Sequence, residues 1–115
     1  MGAMGDQQDR DRGVWVDSDE QRIVVHIAGE MDLDRAPVLH AALRTAITQP
    51  GSQSEIVVDL AGLSFCDSAG LNALLQARHT AGEHGRHISL RAPRPQFLRL
   101  LELTGADSLF PITGT

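Results

Sequence analysis

The sequence predicts a single α/β domain, a small mixed sheet of four to five strands covered by three to four helices. Three observations lead there. Apolar runs of strand character alternate with segments of helical periodicity in the order strand, strand, helix, strand, helix, strand, helix, so an opening hairpin must give way to parallel crossovers. The run Glu55-Ile56-Val57-Val58-Asp59-Leu60 is β-branched and bounded by polar residues, the pattern of a strand buried on both faces and therefore central. A chain of 115 residues with a hydrophobic fraction of 42% supplies one core, with no second domain and no membrane span.

Taken in order, residues 1–12 are polar and charged, lack an apolar signal core, and read as a disordered tail or expression scar ahead of a domain over 13–113. Gly13-Val14-Trp15-Val16-Asp17 alternates apolar and polar residues, Ser18-Asp19-Glu20-Gln21 turns, and Arg22-Ile23-Val24-Val25-His26-Ile27-Ala28 returns as the second strand of a hairpin. Gly29-Glu30-Met31-Asp32 is expected to break that strand. Val38, Leu39, Ala42, Leu43, Ala46 and Ile47 then recur at helical spacing, with Pro37 tolerable only in a first turn and Pro50-Gly51 beyond the end. After the central strand, Ala69 to Glu83 forms a second helix with Leu71, Leu74 and Leu75 inward and Gly85 placed to supply a left-handed C-terminal residue. His87 to Arg91 is a short strand. Pro93 and Pro95 interrupt the chain before a third helix marked by Phe97, Leu98, Leu100, Leu101 and Leu103, which Gly105 stops; Leu109-Phe110-Pro111-Ile112 is a closing apolar tether.

A formal charge of -5 with no basic stripe on any helix argues against direct binding of nucleic acid. A lone Cys66 forms no internal disulfide, no Cys-x-x-Cys occurs, and a reducing, cytoplasmic setting with no membrane contact is expected. His79, Glu83, His84 and His87 straddle a helix end between Gly82 and Gly85 and read as a solvated polar face, so no metal site is expected.

The chemistry-bearing stretch is Ser64-Phe65-Cys66-Asp67-Ser68-Ala69-Gly70-Leu71, where an apolar strand passes into a helix and a hydroxyl stands next to a carboxylate. Two readings of Ser68 are open. As an N-cap, its oxygen accepts a backbone N–H and contributes about 1 kcal/mol. As a modification site, it carries a phosphate at the positive end of a helix dipole, adding about −1.5 to −2 charge to the surface while the fold survives. If the loops after the second and central strands are neighbours, Asp32 and Asp67 flank that hydroxyl; otherwise Asp32 and Asp34 only favour the first helix's N-terminus. Gly70 lets the backbone approach or turn, or admits a partner closely. Cys66 reads as a small buried hydrophobe.

Enzymatic readings fail on the residues present. Cys66-Asp67-Ser68-Ala69-Gly70 lacks the first glycine of Gly-x-Ser-x-Gly, and Asn72 stands where a cysteine phosphatase loop wants arginine. Nucleotide binding at the acidic loop is a third possibility that no glycine-rich phosphate cradle supports, and no cofactor is expected.

The stretch from Ile56 to Leu71, with Gly29-Glu30-Met31-Asp32 upstream and Leu103-Thr104-Gly105-Ala106 downstream, resembles a STAS domain of the bacterial anti-sigma factor antagonist family. The resemblance runs from Val14 to Ile112. It implies that Ser68, directly after the motif aspartate, is phosphorylated by an anti-sigma factor that is itself an ATP-dependent serine kinase. The unmodified protein then binds that kinase and frees its sigma factor, phosphorylation ends the binding, and a phosphoserine phosphatase restores it, a partner switch of the kind used in stress responses. The protein is, on this resemblance, a substrate and partner rather than an enzyme. The implied contact residues are Met31, Asp32, Asp67, Ser68, Gly70, Leu71 and Asn72, with Gln76 further along the helix. Ala69 departs from the second Ser or Thr common in the family, which leaves a single hydroxyl at this position. The alternative is a non-switching STAS scaffold or adaptor in a signalling or transport complex, with Ser68 only a cap.

Overall fold

The computed structural model describes residues 13–114, so the tail expected over residues 1–12 lies outside the described residues. The elements follow in the order β1 (Val14–Ser18), β2 (Arg22–Met31), α1 (Ala36–Thr48), β3 (Glu55–Cys66), α2 (Ser68–Glu83), β4 (His87–Arg91), α3 (Pro95–Thr104), a 3-10 turn (Ala106–Leu109) and β5 (Ile112–Thr113). The strands form one sheet in the order β1-β2-β3-β4-β5. β1 pairs antiparallel with β2, and every later pair is parallel. The expected α/β architecture, with its hairpin, parallel crossovers and central β3, is the one observed.

Because the parallel strands progress in one direction across the sheet, right-handed crossovers bring α1 and α2 to the same face. Ile23, Val25 and Ile27 of β2, Ile56, Val58 and Leu60 of β3, and Leu90 of β4 are buried in one core with Leu39, Leu43 and Ile47 of α1 and Leu71 and Leu74 of α2. Phe97 and Leu101 bring α3 into the same core. Alternation sends the intervening residues to the other face, where the register aligns Trp15, His26, Asp59 and Arg91 in a row across β1 to β4. There the His26 ring stacks on Trp15 at a centroid distance of 5.1 Å, with Nδ1 2.8 Å from Asp59 Oδ2 and Nε2 3.0 Å from Asp17 Oδ2. Arg91 Nη2 completes the row 3.3 Å from Asp59 Oδ2.

One expectation is corrected. Gly29-Glu30-Met31 does not break the second strand: Gly29 takes φ +80, the register shifts between His26 and Ala28 and again between Gly29 and Glu30, and pairing resumes through Met31 opposite Cys66. A glycine that accepts a positive φ bends the strand at a bulge and lets it continue. β3 is lengthened to match, running to Cys66 instead of stopping near Leu60. The helix stops agree with expectation: His84 caps α2 with Gly85 following at φ +69, and Gly105 ends α3 at φ +76.

Two long-range arginine contacts hold the periphery. Arg86 is 7% exposed and finds only carbonyl oxygens. Its Nη1 donates to Ala46 O at 3.1 Å and to Ile47 O, its Nε to Gln53 O at 2.8 Å and its Nη2 to Gly51 O at 3.2 Å. A cation thus caps the negative end of α1, whose last turn carries no basic residue of its own. At the β4 edge, Leu90 N–H donates to Pro111 O and Ala92 N–H to Thr113 O, both at 2.8 Å, while Arg78 Nε donates to Leu109 O at 2.7 Å.

Candidate functional site

The extensions of β2 and β3 carry both strand ends beyond the sheet's middle and leave them side by side. Met31 pairs with Cys66, and Asp67 N–H donates to Met31 O at 3.1 Å, so the loop bearing Asp32 adjoins the loop bearing Asp67 and Ser68. Asp32 also has a local task, since its Oδ1 accepts from Arg35 N at 3.2 Å and its carbonyl from Ala36 N at 2.9 Å, closing the turn into α1.

At the start of α2 the capping residue is Asp67, not Ser68. Asp67 has extended backbone angles, and its Oδ1 accepts from Ala69 N at 2.9 Å and Gly70 N at 3.3 Å. Two N–H groups that the helix leaves without intrahelical partners are thereby satisfied by the carboxylate. Ser68 is the first helical residue and is exposed. Its hydroxyl is therefore free of the structural duty that a cap would impose.

The expected contact residues divide by depth. Asp32 and Asp67 are half-buried, Ser68 and Asn72 exposed, while Met31, Gly70 and Leu71 are buried. Met31 and Leu71 therefore support the surface from beneath, and as side chains offered to a partner they are corrected to core residues. Gly70 is accounted for by packing: a Cβ there would lie 2.5 Å from Cys66 Sγ and 3.1 Å from Met31 O, so the first turn of α2 sits against the ends of β2 and β3 only because no side chain intervenes. Cys66 is 1% exposed, and burial, reinforced by the Asp67 charge, pushes its thiol up to about 12. It is the buried hydrophobe expected, far from thiolate chemistry at neutral pH.

Two features had not been anticipated. Gln96 of α3 makes a paired contact with the strand end just before Asp67: its Oε1 accepts from Cys66 N at 3.0 Å and its Nε2 donates to Cys66 O at 3.0 Å. No motif marks it, beyond its place one residue after the proline that opens α3. Leu33, in the β2–α1 connection, is 73% exposed and heads a groove of about 410 Å³ between α1 and α2, bordered by Pro37, His40, Asn72 and Gln76. The available sequence signal was a lone leucine between Asp32 and Asp34, ahead of the apolar periodicity of α1, which begins only at Val38. The helices flanking the groove carry almost no acid: α1 has none and α2 only Glu83. Acidic groups gather instead at the helix starts, as Asp32, Asp34 and Asp67. His79 and Glu83 lie 4.0 Å apart on the exposed surface of α2, a solvated pair as expected. No helix among the described residues is long and apolar enough to cross a membrane.

A family model described as "Mlab, STAS domain" matches residues 14–111. The chain belongs to the STAS domain family. Among proteins to which this STAS domain is similar, the anti-sigma-B factor antagonist of Bacillus subtilis is 30% identical over 101 residues, covering 88% of this chain and 90% of the relative. The crystal structure of an anti-sigma factor antagonist from Mycobacterium paratuberculosis superposes with a TM-score of 0.78 at 29% identity, covering 89% of this chain and 85% of the other. The anti-sigma factor antagonist SpoIIAA, in its unphosphorylated form, shares the fold with a TM-score of 0.74 at 22% identity over 89% of this chain and 88% of its own; a structure of SpoIIAA in a phosphorylated form has the same fold, with a TM-score of 0.68 at 22% identity over 89% of this chain and 91% of its own.

Proposed function

We propose that this STAS domain is an anti-sigma factor antagonist whose binding is switched off by phosphorylation of Ser68. The observation that carries the reading is the division of labour at the start of α2: Asp67 caps the helix, and Ser68 stands exposed beside it with its hydroxyl uncommitted. A phosphate added there costs the fold no hydrogen bond and sits at the positive end of α2, which favours the charge. SpoIIAA, which shares the fold, exists in unphosphorylated and phosphorylated forms.

The partner is an anti-sigma factor of the serine kinase class, with a phosphoserine phosphatase resetting the switch in the cytoplasm. It contacts Asp32, Ser68 and Asn72, and the Leu33 groove supplies an apolar anchor between α1 and α2. A phosphoserine packed into such an interface beside Asp32 and Asp67 meets like charge and loses hydration. A penalty of about 3–4 kcal/mol corresponds to a loss of affinity of two to three orders of magnitude. The protein acts as substrate and ligand, and no refolding is needed.

The test is binding of wild type, Ser68→Ala and Ser68→Asp to a serine kinase of the anti-sigma class, with site mapping by mass spectrometry after incubation with ATP. Retained binding by Ser68→Ala, weakened binding by Ser68→Asp and phosphate on Ser68 are expected. Equal binding by both variants would instead make the protein a scaffold or adaptor, and phosphate at another residue would move the switch elsewhere.

A further inference from the structure

The geometry points to Gln96 as a positioning residue for the phosphoacceptor loop, a role that rests on the reading of Ser68 above. β3 is paired on both sides only as far as Asp59: β4 ends at Arg91, opposite Asp59, and the chain then turns away through Ala92, which takes φ +54. Beyond that point β3 continues to Cys66 with β2 on one side and, among the described residues, no strand on the other. Gln96 fills the gap at its last residue. Its side-chain amide presents an acceptor oxygen and a donor NH2 side by side, and each bonds the same residue, Cys66 N–H and Cys66 C=O, at 3.0 Å. The amide thus imitates a short piece of neighbouring strand.

The consequence falls on the next residues. Asp67 follows Cys66 directly, is tied by its own N–H to Met31 O, and holds the Ala69 and Gly70 amides through Oδ1. With Cys66 clamped from the α3 side by Gln96 and Asp67 from the β2 side by Met31, the path that leads to Ser68 has little freedom. Phe97, next to Gln96, is 1% exposed and anchors the base of the clamp in the core, whereas Gln96 itself is exposed as a residue. Gln96 can therefore be replaced without opening the core. It does not touch the Ser68 hydroxyl, and it acts on Ser68 only by fixing the backbone that leads to it.

The test is amide hydrogen exchange by NMR on wild type, Gln96→Ala and Gln96→Glu, with global stability of each measured in urea. The Cys66 amide must exchange faster in Gln96→Ala on any view, because its acceptor is gone. The informative amides are Ala69 and Gly70, which Gln96 does not touch. They are expected to exchange about tenfold faster or more in Gln96→Ala, beyond any global change read at Val58 and Leu90. At the Ala69 and Gly70 amides Gln96→Glu is expected to exchange faster than wild type at pH 7, as Gln96→Ala does, because a carboxylate cannot donate to Cys66 O, while Cys66 N–H keeps its acceptor. It should approach wild type measured at the same pH as the medium is acidified towards about 4, where a protonated glutamic acid regains the donor. Unchanged Ala69 and Gly70 exchange in Gln96→Ala, or no recovery of Gln96→Glu in acid, overturns the proposal. A second arm uses an anti-sigma serine kinase that phosphorylates the wild-type chain, with a fall of about tenfold in the rate for Gln96→Ala expected; an undiminished rate also overturns the proposal. If no such kinase modifies the wild type, the reading of Ser68 fails, and the exchange data still decide whether Gln96 positions the loop.

Discussion

Replacing Gly70 by alanine sets two effects of opposite sign against each other. Alanine in place of glycine inside a helix ordinarily stabilises it by about 0.5–1 kcal/mol. At position 70 the new Cβ would stand 2.5 Å from Cys66 Sγ, 3.1 Å from Met31 O and 3.3 Å from Met31 Cβ, and two of those three atoms belong to the buried end of β2. Overpacking of this kind costs about 1–3 kcal/mol, so the net change for Gly70→Ala is destabilisation of about 0.5–2 kcal/mol. Gly82, in the last turn of the same helix, has nothing within 4 Å of its would-be Cβ, so Gly82→Ala should gain the ordinary helical increment and serves as the matched control. Cys66→Ala removes the nearest obstacle at a cost of about 1 kcal/mol for one lost buried atom. The double variant Cys66→Ala with Gly70→Ala should then be less destabilised than the sum of the two by about 1 kcal/mol, the residue of clash against Met31 remaining. Urea denaturation read as a midpoint at constant slope measures each value. In a domain of this size each kcal/mol also moves the thermal midpoint by about 4–8 °C. Additivity of the two substitutions, or a stabilising Gly70→Ala, would show that the close approach of α2 to the strand ends is not what requires glycine.

Three further outcomes follow from the contacts described. Asp67→Ala, which strips the cap from Ala69 and Gly70, should lower stability by about 1–2 kcal/mol, whereas Ser68→Ala should change it by less than about 0.5 kcal/mol; urea midpoints that reverse this order would return the cap to Ser68. Arg86→Met, which leaves the last carbonyls of α1 without a donor, should cost about 3 kcal/mol or more, and a thermal midpoint within a few degrees of wild type would contradict the capping role. Asp59 resists burial, which alone would raise its carboxyl, because the Ala61 N–H, His26 and Arg91 together hold it below the usual aspartate value. With the folded value depressed, its contribution to stability is present above about pH 4 and is lost as pH falls through the folded value. Asp59→Asn should therefore cost most at neutral pH, with the gap to wild type closing in acid, as a urea series from about pH 7 to pH 3 will reveal.

Much of this architecture could be read from the chain, and the parts that could not share a physical cause. The β-branched run at Ile56 to Val58 and the helical spacing in α1 are local patterns, and local patterns located the central strand and the crossover order. The ends of β2 and β3 are different. Gly29 and Gly62 weigh toward a turn on propensity, and only the long-range pairing of Met31 with Cys66 makes strand of them. At the site, Asp67 and Ser68 are both good capping residues one position apart, and periodicity does not fix a helix boundary to one residue. Gln96 and Arg86 were invisible for a simpler reason. Each bonds to backbone groups about thirty or more positions away, and a carbonyl oxygen leaves no mark in a sequence.

The way the sheet stops at β4 bears on how the protein behaves at high concentration. β5 offers only two residues, so the first half of β4 would be an open template for a strand from another molecule. The intramolecular chain already lies along it without completing the ladder. Pro111 has no N–H to offer Ile88, and the Leu109 carbonyl that would continue the pattern is held by Arg78. An invading strand would have to displace the Phe110 side chain from the core, since Phe110 is only 4% exposed, and break the Arg78 contact before making its first hydrogen bond. This edge of the sheet is thereby guarded against growing by strand addition from another molecule.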